Sequence, residues 1–185
     1  VLTSRPDKPS YRYRVEALLP GLLDRGIHTR VLFNRDMRRR RFQRYMGCSN
    51  YDVVLIQKRI LRSVDRFVLG RFARRVVFDF DDAVGFDRDG RPRLRMQKRL
   101  RSMARFADHI TCGNSYLATL VESDRPKVTV VPTSIDTHRF APSQLATASK
   151  GERIVVGWGG SRATLGYLDR VLPGLADVKG SVLKV

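Results

Sequence analysis

Acidic residues are in short supply in this chain. Its 185 residues carry 18 Asp and Glu against 36 Lys and Arg, a formal net charge of +18 at pH 7. An excess of that size argues for association with something anionic, whether nucleic acid, lipid head groups or phosphorylated substrates, and says nothing of fold. Cysteine is scarcer still. Cys48 and Cys112 stand far apart, with no Cys-x-x-Cys spacing and no His cluster beside them, which argues against a disulfide framework and a structural zinc site. Both read as ordinary thiols. No apolar run reaches the roughly 18 residues that a membrane span needs, and no leader with a charged start and apolar middle precedes the first helix. A cytoplasmic location is the expectation. His28, His109 and His138 each lack a nucleophile nearby in sequence and read as structural. Hydrophobic residues, by contrast, make up 42% of the chain, enough for one large domain or one domain with part of another.

Apolar side chains at Val15, Leu18, Leu19, Leu22 and Leu23 recur at helical spacing and Gly26 follows as a stop, so the spacing predicts a helix from Tyr11 to Arg25. Val1-Leu2-Thr3 before it reads as the end of a strand whose beginning is clipped. Beyond Gly26, short β-rich runs alternate with longer charged stretches, the pattern of a parallel sheet covered by helices. Strands are predicted at Thr29 to Phe33, Val53 to Gln57, Val76 to Phe80, His109 to Cys112 and Val128 to Val131. The clearest helices are Ser63 to Arg74, Leu94 to Phe106 and Ser115 to Glu122, the last with Asn114 as N-cap. Residues 136–153 turn polar and irregular and read as a linker. After it, Ile154 to Trp158 is a new strand, Gly159-Gly160-Ser161 a tight turn, and Thr164 to Leu175 a helical segment interrupted near Pro173. The expected class is therefore α/β: a Rossmann-like parallel sheet over residues 1–135, a linker over 136–153, and the first βα unit of a second such domain over 154–185, truncated.

Open parallel sheets bind ligands beyond the carboxyl ends of their strands. After the first strand comes Pro9-Ser10-Tyr11-Arg12-Tyr13-Arg14, with Arg12 and Arg14 near a helix N-terminus, where cations work against the helix dipole unless an anion lies close. After the fourth comes Asp79-Phe80-Asp81-Asp82, carboxylates close enough to raise one another's pKa or hold a cation. Several readings of these acids stay open. Val77 to Asp82 resembles the motif of haloacid-dehalogenase-type phosphatases, with Asp79 as nucleophile and Asp81 as general acid/base, although that motif usually opens its domain and no later acidic motif follows. Asp79 and Asp81 also satisfy the short Asp-x-Asp metal signal of the other glycosyltransferase fold. A metal-independent place beside an acceptor, or loop capping alone, is the remaining choice. Val156 to Thr164 runs from a strand through paired glycines into a helix, so backbone N–H groups of Gly159 and Gly160, with Ser161 and Arg162, outline a diphosphate cradle.

Taken in order, these blocks resemble the retaining GT-B glycosyltransferases that include many bacterial group-1, or family-four, enzymes. The residues carrying the resemblance are Tyr11 to Arg14 with Gly26-Ile27-His28, Phe78 to Ala83, and Ala107 to Ile110 running into Gly113-Asn114-Ser115. Val130 to Asp136 with Phe140, and Gly157 to Ser161 with Thr164, Tyr167 and Leu168, complete the match. The resemblance implies two Rossmann-like domains, the first taking an acceptor and the second a nucleotide-sugar donor, with no cofactor and no obligatory metal. On that view Gly159, Gly160, Ser161, Arg162, Arg12 and Arg14 approach the donor diphosphate, and Ser10, Tyr11, Asp81, Asp82 and Asn114 lie near the acceptor. The acceptor would be a sugar, a lipid-linked group or a polymer such as a cell-envelope polysaccharide. Peripheral contact with anionic lipid on the inner membrane face would suit the charge. The paired-glutamate donor motif of the family does not occur here, so the isolated chain is expected to transfer little or no sugar. A basic nucleic-acid-binding domain is the other alternative. It rests on charge alone, without a groove-reading motif, and specific nucleic acid is not expected.

Overall fold

A computed structural model describes residues 1–87, 89–122, 127–138, 140–141, 154–160, 162–176 and 181–184. The chain divides into two compact units, Val1–Asp136 and Thr137–Val185.

The first unit is built on six parallel strands: β1 (Leu2–Thr3), β2 (Leu32–Phe33), β3 (Val54–Gln57), β4 (Val76–Phe80), β5 (His109–Cys112) and β6 (Val128–Val130). Their spatial order is β2-β1-β3-β4-β5-β6. The chain steps one way from β1 to β2 and the other way to β3, so the topological switch point lies between β1 and β3. The central strands are short apolar runs because a parallel sheet covered by helices admits little else. Ile56, Phe78, Phe80 and Ile110 are fully buried, and the rings of Phe78 and Phe80 stack with centroids 5.4 Å apart. Strands β4 and β5 have the predicted bounds. Strand β2 is shorter than the expected Thr29 to Phe33, as suits an edge strand bonded on one side alone.

Among the described residues six α-helices accompany the sheet: α1 (Pro9–Arg14), α2 (Leu19–Leu23), α3 (Asn34–Met46, kinked at Arg40), α4 (Ser63–Phe72), α5 (Leu94–Phe106) and α6 (Ser115–Thr119). Helix α5 is the most plainly amphipathic. Leu100, Met103 and Ala104 are buried at helical spacing, and each large apolar side chain so covered stabilises by about 1.5–3 kcal/mol. The helix expected from Tyr11 to Arg25 is instead three pieces: α1, a 3₁₀ turn at Glu16–Leu18, and α2. Val15 leaves the helical region at φ −128°, ψ −66°. Pro20 has no N–H to give the preceding turn, so it serves in the first turn of a new helix, where that donor is not needed. At the far end Gly26 adopts φ +73°. Its N–H bonds Leu23 O at 2.8 Å while that of Ile27 bonds Leu22 O at 2.9 Å, the paired closure that a left-handed residue makes possible.

In the second unit β7 (Ile154–Gly157) pairs in parallel with β8 (Ser181–Lys184). A 3₁₀ helix at Arg162–Arg170 and a short α7 (Leu172–Ala176) connect them. The helical segment expected from Thr164 to Leu175 is thus mostly 3₁₀. Most of the expected linker, residues 142–153, lies outside the described residues.

Candidate functional site

Polar residues run side by side across the carboxyl end of the buried sheet. Leu2 is in register with Ile56, which sets Thr3 beside Gln57; Gln57 is opposite Asp79, and Asp79 opposite Thr111. Thr3 and Gln57 are fully buried and Asp79 nearly so. Such groups are costly to bury unless hydrogen-bonded, and most are. The Thr3 hydroxyl donates to Gln57 Oε1 at 2.5 Å and the Thr111 hydroxyl to Asp79 Oδ1 at 2.7 Å. Gln57 Nε2 is buried with no hydrogen-bond partner among the described residues.

Arg14 completes the row from α1. Its Nε donates to Asp79 Oδ2 at 3.0 Å and its Nη2 to Oδ1 at 2.5 Å, while Nη1 donates to Val131 O at 2.7 Å and Thr133 Oγ1 at 3.3 Å. The two side chains are only 3% and 6% exposed. The hydrogen bond to Asp79 outweighs burial and holds the guanidinium still further from deprotonation. This geometry corrects three sequence expectations. Arg14 is not placed to bind a diphosphate, because its guanidinium is enclosed and bonded on every side. Asp79 is not exposed, as the nucleophile and metal-pair readings expect it to be: it is nearly buried and both of its oxygens are held by Arg14 and Thr111. Tyr11 leaves the acceptor set: it is 6% exposed and packs edge-on against Phe33, centroids 5.1 Å apart.

Next to this closed cluster lies a more open one. Lys58, the first residue after β3, sits at φ +56°, a left-handed conformation that a side chain adopts at a cost. Its N–H bonds Asp79 O at 2.7 Å. Its ammonium pairs with Asp82, and Nζ is 3.4 Å from Asp81 Oδ1. Burial alone would pull the Lys58 pKa down, but the hydrogen bond to Asp82 and the charges of Asp81 and Asp82 raise it. Asp82 remains exposed, whereas Asp81 Oδ1 is buried with no hydrogen-bond partner among the described residues. A Cβ at Gly113 would stand 3.4 Å from the Asp81 Cα, so β5 passes close behind the acid. Asn114 accepts from Leu117 N at 2.9 Å and caps α6 as expected. Ser10 is half-buried in the first turn of α1, and Arg12 is exposed.

At the switch point a cavity of about 550 Å³ opens over the ends of β1, β2 and β3. Arg5, Arg35, Arg41 and Arg59 line it, with Tyr45 and Asp65. None of these was singled out from sequence, although Arg35 and Arg59 follow strand ends and the position rule applied to the other strands reaches them too.

In the second unit Gly159 and Gly160 follow β7 directly. A Cβ on Gly160 would fall 2.4 Å from the Trp158 ring and 3.0 Å from Thr164 Oγ1, so the turn admits no side chain there without moving the indole. Ser161 lies outside the described residues, and Arg162 begins the 3₁₀ helix. Among the described residues no helix is long and apolar enough to cross a membrane. No family model matches the chain, and no curated protein matches it.

Proposed function

We propose that the chain is part of a GT-B-type glycosyltransferase, in which Val1–Asp136 holds the acceptor and the unit opening at β7 begins the donor side. The observation carrying this reading is the succession of two parallel βα units. The first ends its strands on an edge of cations and carboxylates, and the second turns through Gly159-Gly160 immediately after its first strand. Ligands of such sheets bind at the carboxyl ends. Asp82, exposed and steadied by Lys58, is suited to hold acceptor hydroxyls. Backbone N–H groups of Gly159 and Gly160, with Arg162, are the donors this reading assigns to a leaving diphosphate, whose developing charge they would stabilise without a metal. The acceptor is a sugar, lipid-linked or polymeric, met at the cytoplasmic face of a membrane. The phosphatase alternative is the less well supported, because Asp79 is nearly buried and paired with Arg14.

Equilibrium dialysis against labelled uridine, guanosine and adenosine diphosphate sugars tests the reading. One nucleotide sugar is expected to bind, to be displaced by its free nucleotide diphosphate, and to bind less well after Gly160→Val. Binding of none of them, or of all equally with and without Gly160→Val, would count against it.

One observation favours a second role on the same unit. A groove of about 670 Å³ between the start of α4 and α5 is lined by Arg62, Arg66, Arg95, Lys98 and Arg99, and among the described residues none of the five pairs with a carboxylate. Burial, and then the charge of Arg99, lower the Arg66 pKa. Five cations held together without a carboxylate partner among the described residues suit a polyanion, either nucleic acid or an anionic lipid surface. A steep loss of binding to such partners with rising salt is the expected signature.

A further inference from the structure

The cavity at the switch point has a composition that selects its ligand. Four arginines line it and, among the described residues, one carboxylate, Asp65. Asp65 lies 3.5 Å from Arg41 Nε. Arg5 pairs with Asp7, and Arg35 with Asp36 at 3.9 Å, but those pairs are exposed and exchange readily for a better partner. Arg59 differs from the other three. Its Nη1 is buried with no geometrically formed hydrogen bond among the described residues, and Tyr45, which is 1% exposed and lines the same cavity, is its electrostatic and hydrogen-bonding neighbour. A buried N–H without an acceptor calls for a missing group that would accept.

We propose that this cavity binds the phosphate of a phosphorylated sugar or polyol. Arginine forks match phosphate oxygens two at a time, and the buried Nη1 of the half-buried Arg59 supplies a donor that a neutral hydroxyl would satisfy poorly. The volume is ample for a monosaccharide phosphate. That the bound molecule is the acceptor rests on the function proposed above; that the pocket takes a phosphate does not.

The two are separable by experiment. Amide chemical shifts of the whole chain are followed by NMR while glucose 6-phosphate, glucose, glucuronate and inorganic phosphate are added at constant ionic strength. The sugar phosphate is expected to bind at least about tenfold more tightly than glucose or glucuronate, shifting amides at Arg5 and Asn34–Met37. Arg59→Gln should weaken it about tenfold, while Arg62→Gln with Lys98→Gln leaves it unchanged. If Arg59→Gln does not fold, Arg41→Gln and the positions of the shifted amides decide. Equal binding of glucose and its phosphate, or binding lost with the groove variants and kept with Arg59→Gln, overturns the proposal. Tight phosphate-dependent binding in a chain that binds no nucleotide sugar would keep the pocket and discard the glycosyltransferase.

Discussion

Arg14 and Arg59 both reach the carboxyl edge of the same sheet, yet their surroundings differ in kind. Arg14 makes four hydrogen bonds and has a full carboxylate as counter-ion. Arg59 has a buried N–H with nothing to receive it among the described residues, beside a cavity. A strand-end position therefore does not by itself make a residue functional. Whether the fold already satisfies the group is what separates a clasp from a binding group. Lys58 stands between the two cases: its charge is compensated by Asp81 and Asp82, but its backbone is strained and Asp82 is open to solvent.

The strongest way to break this comparison is to remove each guanidinium and measure stability by urea unfolding. Arg14→Ala leaves Asp79 buried and unpaired and should cost about 3–5 kcal/mol, a large part of what a domain of this size possesses. Joint replacement by Arg14→Met and Asp79→Leu should recover much of that loss, because no charge is then stranded. Arg59→Gln should cost less than about 1 kcal/mol. Equal losses at the two arginines would erase the distinction.

A smaller effect sharpens the place of Lys58. Lys58→Ala and Lys58→Gly both remove the ammonium, but only glycine relieves the left-handed backbone. The glycine variant should be the more stable by about 1 kcal/mol. If alanine is as good, the positive φ carries no strain and Lys58 joins the ordinary surface cations.

The smallest effect is in alkali. Because the folded-state pKa of Lys58 is raised, its stabilisation is complete below the unfolded value of about 10.4 and is lost as pH climbs through the folded one. Wild type should thus lose stability above that pH more steeply than Lys58→Met. Taking the difference between the two proteins cancels the buried tyrosines Tyr11 and Tyr45, whose raised pKa values act in the same direction. Parallel curves would mean that the ammonium contributes nothing.

How far the sequence disclosed all this depends on the range of the interaction. The bounds of β4, β5 and α5 were legible because local period and punctuation decide them. So were the Gly26 closure and the Asn114 cap, each made within a few residues. The break at Val15 was not, since the stripe from Val15 to Leu23 reads the same whether one helix or three pieces bury it; Pro20 was the visible clue. Asp79 stood out as an open acid and is instead buried and paired, because its partner is 65 residues away and no local pattern announces such a pair. The switch-point cavity is assembled from four separate segments. Its arginines looked like any others in a chain so rich in them.

The clasp at Arg14 also fixes an order of events during synthesis. Its counter-ion emerges from the ribosome 65 residues later, and its two remaining acceptors 117 and 119 residues later. While the intervening residues are made, a guanidinium destined for the interior stays hydrated, and β1 waits for the β3 strand that will flank it in the sheet. Closure is then a late event spanning nearly the whole unit, the kind of long-range step that slows folding and prolongs exposure to chaperones. One ion pair thereby marks the point on the nascent chain before which the first unit cannot be finished.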